Sequence, residues 1–142
     1  MRASHRARQV VNVVNLSTLL GIAVAKASGA RLQRGPDGLV LATGPRRRLL
    51  PASAFTMGNV VLVAVPDPSA DLLRHEARHA SQWACCVLLF LPLYWGAALW
   101  SLWRCGDHWS RNVFEQRAGL AEGGYVENPV RRLRGRTRAS GS

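Results

Sequence analysis

The chain has 142 residues, 48% of them hydrophobic, which suits one small domain with a core and argues against a disordered chain. Its net charge of +11, from 19 Lys and Arg against 8 Asp and Glu, is compatible with nucleic acid or an anionic membrane surface. No recognition-module motif accompanies that charge, so no specific nucleic-acid partner is expected. Three cysteines, two of them adjacent at Cys85 and Cys86, argue against a disulfide framework.

Residues 1–8 are basic and read as a frayed terminus. Residues 10–25 are largely apolar but carry Asn12, Asn15, Ser17 and Thr18. A basic start, an apolar stretch and small residues after it have the outline of a cleavable signal peptide. The two asparagines favour a retained helix instead, either embedded in a membrane or packed on the domain. Residues 30–65 read as three strands: Arg31 to Gln33, Leu39 to Thr43, and the β-branched run 60–65. Gly35-Pro36-Asp37-Gly38 is a strong turn signal between the first two. Arg46, Arg47 and Arg48 form a basic loop. The third strand directly precedes a helix and could bind an extended peptide by edge pairing.

That helix is predicted to start at Asp67-Pro68-Ser69, where Asp67 or Ser69 can cap and Pro68 is tolerated in the first turn. It carries His75-Glu76-Ala77-Arg78-His79, an H-E-x-x-H pentad. Residues four apart share a helix face, so two imidazoles can reach one zinc ion. Glu76 is then placed as general base toward water activated by the metal. Leu72, Gln82 and Cys86 fall on the same stripe, and Gln82 is a candidate partner for a metal-bound histidine. The alternative for the histidines is a solvated face beside Arg74 and Arg78.

Residues 83–103 contain no charge and hold or border four of the five tryptophans, a pattern of interfacial anchoring. Beyond Arg104 the chain is polar, then a short helix is predicted near residues 113–121, stopping at Gly123-Gly124. Residues 127–142 form a basic tail, predicted disordered. Cys105-x-x-His108 has metal-ligand spacing, but a loop cysteine and a pair of small buried cysteines are the favoured reading.

Catalytic zinc usually takes three protein ligands, so a third must come from another element. Glu115 on the short helix is the candidate. It could instead serve as the N3 partner of a capping box begun by Asn112. His108 is a second candidate ligand, and His5 lies in the N-terminal region.

At this point the chain resembles the gluzincin metallopeptidases, which pair His-Glu-x-x-His with a later Glu-x-x-Ala, here Glu115-Gln116-Arg117-Ala118. It is most similar to a group of small bacterial HExxH membrane proteins. Gly58-Asn59, Gln82, Leu91-Pro92-Leu93-Tyr94 and the late Glu-x-x-Ala carry that likeness across residues 56–125. The resemblance implies zinc on His75, His79 and Glu115, with Glu76 as general base. Many gluzincins place an acidic residue after Glu-x-x-Ala to orient a histidine; this chain has Gly119. Tyr94, His108 and Tyr125 are candidates for stabilising a transition state.

The apolar segment and the metal site constrain each other. A straight helix over residues 83–103 would cross about 30 Å of hydrocarbon and part His79 from Glu115. Ligands of one zinc must each approach to about 2 Å. A turn at residues 92–96, started by Pro92, would return the chain as a second apolar helix and reunite them.

The expected architecture is therefore α+β and membrane-associated. Residues 1–29 form a basic N-terminus and apolar helix, and residues 30–66 a small β region. Residues 67–126 form a metallopeptidase-like helical core with an apolar hairpin, followed by the tail. The expected function is zinc-dependent hydrolysis of a peptide or protein substrate at a membrane, with the site facing the cytoplasm. The rivals are a non-enzymatic membrane protein with a structural or degenerate zinc site, and a basic lipid or nucleic-acid binder.

Overall fold

A computed structural model describes residues 3–45 and 52–131. The basic loop at Arg46 to Arg48 and the tail from residue 132 lie outside the described residues. The elements are α1 (Ala3–Val14), α2 (Ser17–Ala27), β1 (Arg31–Arg34), β2 (Val40–Thr43), β3 (Ala54–Met57), β4 (Val60–Val63), α3 (Ala70–Cys86), α4 (Phe90–Cys105) and α5 (Val113–Ala118). The fold is α+β.

The four strands form one mixed sheet in the order β1-β2-β4-β3. The β1–β2 hairpin turns through Pro36–Gly38, as its turn residues predict. β4 pairs parallel with β2 and antiparallel with β3. It is thus central and buried at every position, which explains why Val60-Val61-Leu62-Val63 is uniformly apolar rather than alternating. Val61 and Val63 meet Leu72 and Ala80 of α3, while Val60 and Leu62 meet Ala25 of α2. The central strand β4 is therefore covered on both faces.

β3 is a separate fourth strand, joined to β4 by the two-residue turn Gly58-Asn59. Gly58 has φ 62°, and a Cβ there would lie 2.4 Å from the Thr18 backbone nitrogen, so glycine is required on both counts. The edge strands are therefore β1 and β3, and the strand expected to offer its edge, β4, is internal.

The N-terminal apolar stretch is two helices bent by 74°, with Leu16 at the corner in the left-handed region (φ 67°). Nor is the start of α1 frayed at Arg8. Arg8, Asn12 and Asn15 point donors at the backbone carbonyls of Ala77, Ala80 and Trp83, at 3.2, 2.9 and 3.5 Å. Those acceptors recur every three residues along α3 and the donors every three to four along α1, so one face of α1 grips one face of α3.

The apolar turn falls earlier than its residues suggest. It lies at Val87–Leu89, where Val87 has φ 55° and ψ −140°, and not at residues 92–96. Pro92 sits in the first turn of α4, where backbone N–H groups have no intrahelical acceptor and a missing one costs nothing. Beyond the turn the chain passes back along α3. Phe90 stacks near Trp83 (4.9 Å between ring centroids) and His79 (6.2 Å). Trp109, just past α4, stacks on Tyr125, whose ring lies 6.0 Å from that of His75. By length and composition the helical run Ala70–Cys105 is sufficient to cross a membrane, and little of its most apolar window is buried.

Candidate metal centre

α3 begins where Ser69 caps it, its side chain accepting from the Leu72 N–H at 3.1 Å. Its spacing then puts His75 and His79 on one buried stripe, with Nε2 atoms 3.0 Å apart. Glu115 on α5 completes the group. Its Oε2 lies 3.2 Å from His75 Nε2 and its Oε1 3.5 Å from His79 Nε2. All three residues are buried, and one ligand atom from each lies within 4.8 Å of the others. No other such group occurs among the described residues. His108 lines the adjoining cavity but is not in the cluster, and His5 lies 3.0 Å from Asp37.

Asn112 caps α5 by accepting from the Phe114 N–H at 3.0 Å. The Glu115 side chain does not turn back to form a capping box; it is committed to the histidines.

The residues fit a metal ion on three counts. Bonds of about 2.0–2.1 Å around a tetrahedral ion place ligand atoms roughly 3.3 Å apart, close to the separations here. Glu115 Oε2 is buried without hydrogen-bond geometry to any partner, an orphan that a cation would satisfy. Finally, both imidazoles present Nε2 inward because their Nδ1 atoms are engaged outside. His75 Nδ1 meets the Gly119 carbonyl at 2.9 Å, and His79 Nδ1 meets Gln82 Oε1 at 2.8 Å. Gln82 is itself fixed by donating to the Phe114 carbonyl at 2.9 Å. Such outer contacts set the tautomer and orientation of metal-binding histidines. The partner of His75 Nδ1 is thus a main-chain carbonyl and not an acidic side chain.

Electrostatics follow from this burial. Burial pushes the Glu115 carboxyl up, but its contacts with His75, His79 and Tyr94 outweigh that and hold its pKa at about 2. Burial opposes protonation of His79, yet Glu115, Glu76 and Gln82 together leave its pKa raised. Glu76 is raised by burial, only partly offset by His79, the Thr56 hydrogen bond and His75. The Thr56 hydroxyl donates to Glu76 Oε2 at 2.6 Å, and the Thr56 carbonyl accepts from Trp83 Nε1 at 2.9 Å.

Further residues hold the three ligands in place. Tyr94 donates its hydroxyl to Glu115, which makes it a partner of that carboxylate. Arg78 hydrogen-bonds the Ala118 carbonyl at 2.6 Å and pairs with Glu122, pinning the segment after α5 to α3. Gly123 packs so closely that a Cβ there would lie 2.6 Å from His75 Cε1. Gly119 adopts φ 90°, which favours glycine where the chain must turn its carbonyl to His75.

The cluster opens into a cavity of about 360 Å³ between β3, α3 and α4. Ala54 and Phe55 of β3 form one wall, and Phe90, Leu91, Trp95 and Ala98 of α4 another. No protein-family model matches this chain, and no curated protein or solved structure matches it.

Proposed function

We propose that the chain is a zinc-dependent metallopeptidase of gluzincin type, associated with a membrane and similar to the small bacterial HExxH membrane proteins. The observation that carries this reading is the buried His75–His79–Glu115 group, gathered from two separate helices next to Glu76 on the wall of an open cavity. His75, His79 and Glu115 would hold the zinc, which when bound supplies Lewis acidity toward a carbonyl and toward water.

The remaining chemistry belongs to the side chains. Hydrolysis of an amide adds the oxygen of water to the carbonyl carbon, breaks the C–N bond and delivers a proton to the departing amine. Among the described residues Glu76 is the one cavity carboxylate left free by the ligand set, and its raised pKa suits it to take and return that proton. Thr56 orients it. β3, as the outer strand beside the cleft, offers its edge to an extended peptide. Tyr125 and His108 line the cavity without contacting Glu115 and remain the candidates for stabilising the transition state. The uncharged span 83–103 and the basic surplus support membrane association, and a basic flank favours the cytoplasmic side.

Peptide hydrolysis by zinc-loaded wild type and Glu76→Gln tests the reading. Glu76 is not a ligand, so Glu76→Gln should keep zinc and lose about 100- to 10,000-fold in turnover. Full turnover in Glu76→Gln would remove the catalytic assignment. Bound zinc without turnover in wild type would favour a non-enzymatic membrane protein.

A further inference from the structure

The two faces of α4 differ in what they meet. Phe90, Leu91, Tyr94 and Ala98 look into the cavity. The opposite stripe carries Leu89, Leu93, Leu99, Trp100 and Trp103, all exposed; Leu89 is 66% and Trp103 57% accessible. The spacing of Leu89, Leu93, Trp100 and Trp103 follows one helix face. A second exposed apolar corner lies remote in sequence. Asn15 bonds the Trp83 carbonyl, which sets the α1–α2 corner beside the end of α3, where Val14 and Leu16 are 74% and 59% exposed. Large apolar side chains clustered on an exposed face, as on α4, mark an interaction surface.

A bilayer, rather than a protein, fits this surface. The α4 stripe carries no charge along its length and ends at Arg104, whose guanidinium lies 5.6 and 5.7 Å from the Trp100 and Trp103 rings. Tryptophan with an adjacent arginine matches the headgroup level of a membrane, and a chain of net charge +11 is drawn to anionic lipid.

The geometry points to a specific consequence: α4 is a shared wall between the bilayer and the cleft, and the site takes apolar peptide segments already partitioned into the membrane interface. This inference rests on the metallopeptidase reading and names its substrate class. One helix about 10 Å thick separates lipid from cavity. Trp95 belongs to both sides, lining the cavity while 48% exposed. The cavity walls contributed by β3 and α4 are apolar apart from Thr56 and Tyr94, so a peptide bearing large apolar side chains would bury them there.

The test uses the full chain, zinc-loaded and carrying Glu76→Gln so that peptide binding is read without turnover. It is reconstituted in phosphatidylcholine–phosphatidylglycerol vesicles. Two peptides of equal length are compared, one with Leu and Phe flanking the target amide, the other with Ser and Gln. The apolar peptide should bind at least about tenfold tighter, the scale of burying one large apolar side chain. Brominated lipids should quench the tryptophan fluorescence. Adding Leu93→Glu and Trp100→Glu should abolish vesicle flotation and the apolar preference while leaving zinc content unchanged. Equal binding of both peptides by the zinc-loaded chain would overturn the substrate class and leave the metal reading standing. Flotation unaffected by the two glutamates, or a dimer covering this face in vesicle-free buffer, would overturn the docking surface. A chain that takes up no zinc would overturn the metallopeptidase reading and this inference with it.

Discussion

His79 and Tyr94 are fifteen residues apart on one helical run, yet their ring centroids are separated by 6.1 Å. A straight helix would hold them about 22 Å apart. The break at Val87–Leu89 closes that distance and lets Tyr94 reach Glu115, so the apolar segment builds the site instead of carrying the chain away from it.

Gln82 should be a positioning residue for the metal. Replacing it with Ala removes the acceptor that holds His79 Nδ1 and frees the ring to rotate. Zinc affinity should fall about 10- to 100-fold, the usual cost of losing such a partner. Competition with a chelating dye would measure it; unchanged affinity would remove Gln82 from the centre.

Gly123→Ala is a narrow steric probe. The added methyl would meet the His75 ring, whose Cε1, Nδ1 and Nε2 would lie 2.6, 2.9 and 2.9 Å from it. The imidazole must shift by several tenths of an ångström, and zinc affinity should drop at least about tenfold, since metal sites tolerate little displacement of a ligand. Full zinc affinity in a well-folded variant would show that the segment after α5 yields instead.

Asn12 tests whether α1 is integral. It is fully buried and donates to Asn59 Oδ1 and the Ala80 carbonyl at 3.0 and 2.9 Å. Asn12→Leu leaves two buried acceptors without this donor and should cost about 2–4 kcal/mol in a denaturant titration. A change below about 0.5 kcal/mol, as for an ordinary surface site, would mean that the α1–α3 contact contributes little.

Zinc retention should depend on pH through the histidines. In the metal-free protein His79 has a raised pKa, so a proton competes for its lone pair at higher pH than at a free imidazole. Below the raised pKa the ring is cationic and cannot bind zinc; above it the ring is free to do so. Glu115, held at about 2, stays ionised across this range and is not the titrating group. Zinc release followed with a chromogenic chelator should rise steeply as pH falls from about 7 to about 5. A flat profile over that interval would contradict histidine ligation.

Much of this arrangement was legible in the residues. The pentad and Gln82 could be named because helical spacing converts sequence into shared faces, Glu115 because zinc needs a third ligand and Glu-x-x-Ala resembles the gluzincin pattern, and Pro36-Asp37-Gly38 because turn chemistry is local. β3 was missed because Ala54-Phe55-Thr56-Met57 lacks a clear alternation; Gly58-Asn59 between two apolar runs was the signal that could have found it. Pro92 drew the expected turn, but proline in a first helical turn breaks nothing, while Val87 carries no local mark of its positive φ. Thr56, Gly119 and Gly123 act through tertiary contact alone, which spacing along one chain does not encode.

Metal content measured by elemental analysis tests the central claim most directly, on protein purified in mild detergent without a metal-affinity tag. Wild type should carry about one zinc per chain, and both His79→Ala and Glu115→Ala should lose it. Wild type devoid of zinc after gentle reconstitution, or zinc fully retained in Glu115→Ala, would contradict the three-ligand site.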